Sequence, residues 1–337
     1  MPRRDYPTVL QKVGPRGPRG AFPPYTPPTS TLPFAEASLR AGYVTLTTTN
    51  IPVGTDSYTL PTSADYLIDL GWVKRDRALT IYTRPGQRVH TKNLYVEVTI
   101  AATSSNAYTR RGFGYRPLSG TAAPAEHCSL TGALITGPRM LDGLTYGVST
   151  GYTQNGATKV TYQRCRVESA ALYNGAITSD PSTEHSDGFQ MQGPLGTIEF
   201  GECTFYKGHF ASGDPGKCWM LNDYFAAGYT VNATRVNFRD VPGLTGGGAD
   251  IIQDIRNIVV NFTDVYSLQQ GSPNASWTWQ TGSSLYLFYG SSLQWTAIGT
   301  APNRTATFPA GSGFNGVVYE GISPTGVDYC TRAMLGL

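Results

Sequence analysis

Residues 183–193, Thr-Glu-His-Ser-Asp-Gly-Phe-Gln-Met-Gln-Gly, hold the densest set of reactive side chains in the chain. They include two carboxylates (Glu184, Asp187), one of the four histidines (His185) and two amides (Gln190, Gln192). In extended backbone, period 2 puts His185, Asp187 and Phe189 on one side and Ser186, Gln190 and Gln192 on the other, with Gly188 free to bend between them. Downstream, Lys217, Asp223 and Asp250 supply further charged groups. Two facing carboxylates, with a histidine orienting one of them, are the equipment of general acid–base hydrolysis. This makes Asp187, His185, Asp223 and Asp250 the catalytic candidates. Glu184, Gln190, Gln192 and Lys217 are the candidates for holding sugar hydroxyls. A purely structural role is equally open to His185 and Asp187, which can bond each other and fix a turn. No metal-ligand spacing or cofactor motif is present: Gly246-Gly247-Gly248 is not followed by the Lys-Ser/Thr of a phosphate loop.

These side chains need a scaffold, and the chain advertises one. A pattern of four inward positions, i, i+2, i+5 and i+7, recurs six times: Val89, Thr91, Leu94, Val96; Cys128, Leu130, Ala133, Ile135; Val160, Tyr162, Cys165, Val167; Ile198, Phe200, Cys203, Phe205; Val231, Ala233, Val236, Phe238; and Val260, Phe262, Val265, Ser267. The copies begin 39, 32, 38, 33 and 29 residues apart, the step of a solenoid with loops of varying length. Each is two period-2 segments with a phase slip, so the chain turns a corner while keeping one set of side chains inward. That is one turn of a parallel β-helix. Strand-like segments at 80–82, 188–191, 218–221 and 250–253 precede copies and are expected to stack as a separate face.

Composition agrees with an all-β fold. Gly 39, Pro 23 and only 15% charged residues mean many turns and few exposed helices. Residues 64–72 are the nearest approach to an amphipathic helix. The net charge is +3, with Arg3, Arg4, Lys12, Arg16 and Arg19 gathered near the N-terminus, too little basic surface for nucleic-acid binding. No apolar run is long enough for membrane insertion, and the first residues lack the apolar core of a signal peptide. A cytosolic site of synthesis is the expectation. Cys165 and Cys203 share one inward position and Cys128 holds another, which suits buried core thiols rather than disulfides.

In order, residues 1–35 form a Pro/Gly/Arg-rich extended arm with the triplets Gly14-Pro-Arg, Gly17-Pro-Arg and Gly20-Ala-Phe, suited to attachment. Residues 36–77 are assigned to an N-terminal cap and first turn, 78–270 to the parallel β-helix, and 271–337 to an aromatic-rich C-terminal cap or small β domain. One turn between Asp187 and Asp223, or two between Asp187 and Asp250, would separate them by about 5 or 10 Å. Those spacings bracket the roughly 5 Å and 6.5–9.5 Å of retaining and inverting glycosidases.

The repeat together with His185-Ser-Asp-Gly-Phe-Gln resembles the right-handed parallel β-helix proteins of the pectate-lyase-like superfamily, most of all the β-helix minor tail proteins of phages of actinobacteria. The resemblance covers about residues 60–270. It implies a right-handed helix in a homotrimeric virion rod on the phage tail, assembled in the host cytoplasm. It also implies attachment to other tail proteins through the arm, and contact with a cell-envelope polysaccharide of the host. The alternative is a polysaccharide-degrading glycoside hydrolase or lyase. The Asn-Thr-Asp, Gly-His-Gly and Arg-Ile-Lys set of polygalacturonases is absent, so the resemblance does not carry that activity.

Overall fold

The structure is a computed structural model; it describes residues 31–100, 110–118, 125–147, 159–168, 187–192, 196–206, 218–222, 229–239, 251–254, 258–268, 296–298, 305–307 and 313–337. Nearly all regular structure in these residues is strand. A large sheet contains β1 (Val44–Thr47), β3 (Tyr66–Asp69), β4 (Lys74–Arg75), β6 (Arg88–Glu97), β8 (His127–Thr136), β10 (Lys159–Val167), β12 (Thr197–Tyr206), β14 (Tyr229–Arg239), β16 (Ile258–Leu268), β17 (Thr296–Ile298), β18 (Thr305–Thr307) and β19 (Phe314–Glu320). A smaller sheet contains β2 (Ser57–Thr59), β5 (Leu79–Thr83), β7 (Phe113–Pro117), β9 (Leu144–Gly147), β11 (Phe189–Gln192), β13 (Trp219–Asn222) and β15 (Ile251–Asp254). From β5 to β16 the chain alternates strictly between the two sheets. Pairing is parallel throughout except where β18 runs antiparallel to β17 and β19. Residues 66–69, within the one helix-like stretch, form β3.

The repeat sets the register. Val89, Cys128, Val160, Ile198, Val231 and Val260 lie opposite one another in successive strands, and the other three positions follow. All six sets are buried, including Thr91 and Ser267, the two polar members. The phase slip has a local cause: the fifth position of every copy is left-handed, at Asn93, Gly132, Arg164, Glu202, Arg235 and Asp264. One left-handed residue reverses the pleat and turns the strand without breaking the ladder. For a residue with a Cβ this costs about 1–2 kcal/mol. Stacking offsets part of it, since Glu202 is held by Arg164 Nε at 2.8 Å and by Arg235 Nη2 at 3.0 Å, from the strands on either side.

The inward residues of both sheets share one core, with Trp219 among Phe189, Phe200, Phe205 and Phe238. All five cysteines are free and buried, and burial raises the Cys128 thiol above its ordinary pKa. At the first end of the stack, the buried Arg75 guanidinium donates to the carbonyls of Ile51, Pro52 and Thr55, which holds that loop over the core. Burial lowers its pKa only to about 10, so it stays charged at neutral pH.

Both ends of the described chain return along the large sheet. Residues 31–40 cross the outer face of the first segments of its strands, against the stacking direction. Arg235 donates to the Thr31 carbonyl, Pro33 lies against Gly201, the Phe34 N–H reaches Gln163, Glu36 accepts from Thr131, the Ala37 N–H reaches Ser129 and Arg40 meets Asp65. Residues 31–35 of the expected arm therefore bind the chain's own strands; residues 1–30 lie outside the described residues. Residues 328–337 cover the outer face of the second segments. Asp328 accepts from Arg166 and Arg239, the Tyr329 N–H donates to Asn237 Oδ1, the Cys330 N–H reaches Thr204, and Leu335 packs with Leu134.

The N-terminal strap should be acid-sensitive. Burial raises the Asp65 carboxyl, but hydrogen bonds from Arg40 and from the Arg40 and Arg88 N–H groups prevail and hold it at about 2. A depressed carboxylate contributes stability above its ordinary pKa of about 4, which is lost as pH falls toward 2. Limited acid proteolysis of residues 31–40 is expected to accelerate across that window, and Asp65→Asn to accelerate it already at neutral pH.

Candidate functional site

Asp187 sits at the entry to β11, where register with β9 and β7 places it in one column with Asp142 and Arg111. Both carboxylates are buried, at 1% and 2% exposure. The Asp187 N–H points to Asp142 Oδ1 at 3.4 Å, and Arg111 Nε lies 3.1 Å from Asp142 Oδ2. The Gly143 N–H donates to the Asp187 carbonyl, and the Gly112 N–H to that of Asp142. Glycine follows each charged residue for a steric reason: a Cβ on Gly112, Gly143 or Gly188 would strike the carbonyl of the next strand. The column is thus a buried ionic corner. Asp142 was missed in the sequence, although Asp142-Gly143-Leu144 repeats Asp187-Gly188-Phe189 and betrays it.

The other candidates divide. Gln190 faces outward beside Thr145 in register. Gln192 is a strand residue opposite Gly147. Glu184, His185, Lys217, Asp223 and Asp250 lie outside the described residues, so Asp142 is the carboxylate the structure brings to Asp187. Among the described residues there is no cluster of three or more His, Cys, Asp or Glu side chains able to hold a metal, and no helix long and apolar enough to cross a membrane.

A cleft opens on a different surface. The outward row of the small sheet runs Ser57, Thr80, Gly114, Thr145, Gln190 in register. Around its first half lies a half-open cleft of about 330 Å³ lined by Asp56, Ser57, Thr80, Tyr82, Arg111, Arg116 and Thr145. Gly114 lies buried beneath this row, where a side chain would strike the Thr145 hydroxyl and carbonyl. The lining offers hydroxyls, two guanidinium groups, one aromatic ring and one carboxylate. That mixture of donors, acceptors and an apolar plate suits a polyhydroxylated ligand. Among the described residues one carboxylate, Asp56, lines the cleft, while Asp142 and Asp187 lie in the corner.

No protein-family model matches the chain, and neither curated proteins nor solved structures give a significant match.

Proposed function

We propose that the chain is a parallel β-helix protein of a phage tail that binds host cell-envelope polysaccharide on the outer face of its small sheet. The observation that carries this is the division of surfaces. The chain's own ends cover both outer segments of the large sheet, whereas the small-sheet face holds the polar cleft at Tyr82, Arg116 and Thr145. Strict alternation between two parallel sheets in a constant register supports the helix, each pair of strands being one turn. A stack of this kind is stiff and elongated, a form suited to a tail. We further assign the arm before residue 31 to attachment to other tail proteins, and the assembled rod to a homotrimer.

The test is binding of purified actinobacterial cell-envelope polysaccharide, with sugar-end release followed in the same samples. Tyr82→Ala is expected to weaken binding about tenfold by removing the ring on which a sugar packs. Asp187→Asn is expected to bind as the native chain does, with no product released by either. Release of reducing ends by the native chain but not by Asp187→Asn would instead establish a hydrolase working through the corner.

A further inference from the structure

We infer that the cleft takes a short stretch of glycan, about three sugars long, lying across the strands along the stacking direction, so that the ligand is a brief epitope within the polysaccharide rather than a long tract of it. This rests on the small-sheet face being the polysaccharide site and names the length and direction of chain that the site selects.

The direction follows from which strands supply the lining. Asp56 and Ser57 come from the entry to β2, Thr80 and Tyr82 from β5, Arg116 from β7 and Thr145 from β9. These are four consecutive strands of the small sheet. With about 4.8 Å between neighbouring strands, the cleft extends roughly 14 Å along the stack. Measured along a strand, its outward rows are closer together. Ser57, Thr80 and Thr145 share one row, and Tyr82 and Arg116 lie in the next, two residues farther on. Two residues of strand span only about 7 Å. A linear glycan one ring wide therefore fits with its length across the strands, each sugar advancing about as far as one strand step.

The length is bounded at both ends. At one end β2 is the edge of the small sheet, and among the described residues no further strand continues the row past Ser57. In the other direction the row passes from Thr145 to Gln190 and then to Met220 and Ile252, residue types with neither hydroxyl nor amide in the side chain. The volume of about 330 Å³ agrees, since it lies at the low end of the range of about 300–1,000 Å³ for sites that enclose one small molecule. Within these bounds the lining gives different sugars different partners. Tyr82 and Thr80, both on β5, offer an inner sugar a plate and a hydroxyl. Asp56, at the β2 end, accepts from the hydroxyls of the first sugar.

The experiment is calorimetry of the native chain with oligosaccharides of one to six sugars, cut by partial hydrolysis from purified actinobacterial cell-envelope polysaccharide, with the uncut polymer alongside. Affinity is expected to rise at least about tenfold from the single sugar to the trisaccharide. Beyond that it should grow only with the number of trisaccharide windows, about fourfold at the hexasaccharide. Asp56→Ala is expected to weaken the trisaccharide about tenfold, as loss of a charged hydrogen bond does, and to leave the single sugar unchanged. Tyr82→Ala should weaken every length alike. Affinity that climbs tenfold or more between the trisaccharide and the hexasaccharide, a single sugar that binds as tightly as the trisaccharide, or binding of the polymer with none of the oligosaccharides overturns the short-stretch inference and leaves polysaccharide binding standing. An Asp56→Ala chain that loses nothing, or loses equally at every length, overturns the direction across the strands. Binding of neither the polymer nor any oligosaccharide overturns both readings. Unchanged thermal unfolding of the two variants shows that lost binding is not lost folding.

Discussion

Trp219→Ala is expected to lower stability by about 3–5 kcal/mol, as large-to-small changes at fully buried aromatic positions do. Trp219 is wholly inaccessible, and its ring stacks on Phe200 at 4.4 Å and meets Phe238 edge-on at 4.8 Å, with Phe205 at 5.5 Å. It belongs to β13 of the small sheet, while Phe200, Phe205 and Phe238 belong to β12 and β14 of the large one. The indole therefore bridges the two sheets, and truncation opens a void that backbones locked in parallel register cannot close. Trp219→Phe should cost far less. The indole N–H has no hydrogen-bond partner among the described residues, so phenylalanine removes an unsatisfied donor along with the lost volume. Urea midpoints of the two variants decide the matter. Equal losses would mean that indole chemistry rather than volume matters.

Asp328→Ala is expected to cost about 3 kcal/mol, in the range for breaking a buried ion pair from one side. Asp328 accepts from Arg166 Nη1 at 3.2 Å and from Arg239 Nη1 at 3.0 Å, with all three side chains at most 10% exposed. Without it, Arg239 loses its ion pair while staying in place beside the Tyr206 ring. Arg166 keeps Glu168 and the Cys330 carbonyl. The loss should appear as release of residues 328–337, seen as faster C-terminal proteolysis, before it appears in the core. Acid should mimic the substitution. Burial raises the Glu168 carboxyl, but the Arg332 hydrogen bond and the Arg166 charge outweigh it and hold the group below its ordinary value. Its contribution is therefore complete above the ordinary glutamate pKa of about 4.5 and disappears as pH falls below that. A tail that stays protected in acid would contradict this clamp.

The repeat was legible because burial leaves a periodic trace. Val89, Cys128, Val160, Ile198, Val231 and Val260 are interchangeable apolar residues at one position, and all are inaccessible. The face of 80–82, 188–191, 218–221 and 250–253 was legible for the same reason, and the described residues of these segments overlap β5, β11, β13 and β15 of the small sheet. The left-handed corner was not, because Asn93, Gly132, Arg164, Glu202, Arg235 and Asp264 share a backbone state and no side-chain chemistry. Nor were the straps. Contacts such as Phe34 with Gln163 or Cys330 with Thr204 join positions far apart in sequence through outward polar residues that carry no period.

The candidate site was half legible. Asp187 stood out, but its partner Asp142 required matching Asp-Gly-Leu to Asp-Gly-Phe across adjacent strands. The cleft could not be read at all, since it depends on which residues the register brings side by side.

The measurement that bears most directly on polysaccharide binding by the small-sheet face is carbene footprinting with and without saturating envelope polysaccharide. Tyr82 and Arg116 are expected to lose most of their labelling, while Tyr43, exposed at the first end of the stack at 47%, keeps its own. Protection of Tyr43 or of the straps at 31–40 and 328–337, with Tyr82 and Arg116 still labelled, would place the ligand elsewhere and contradict the account.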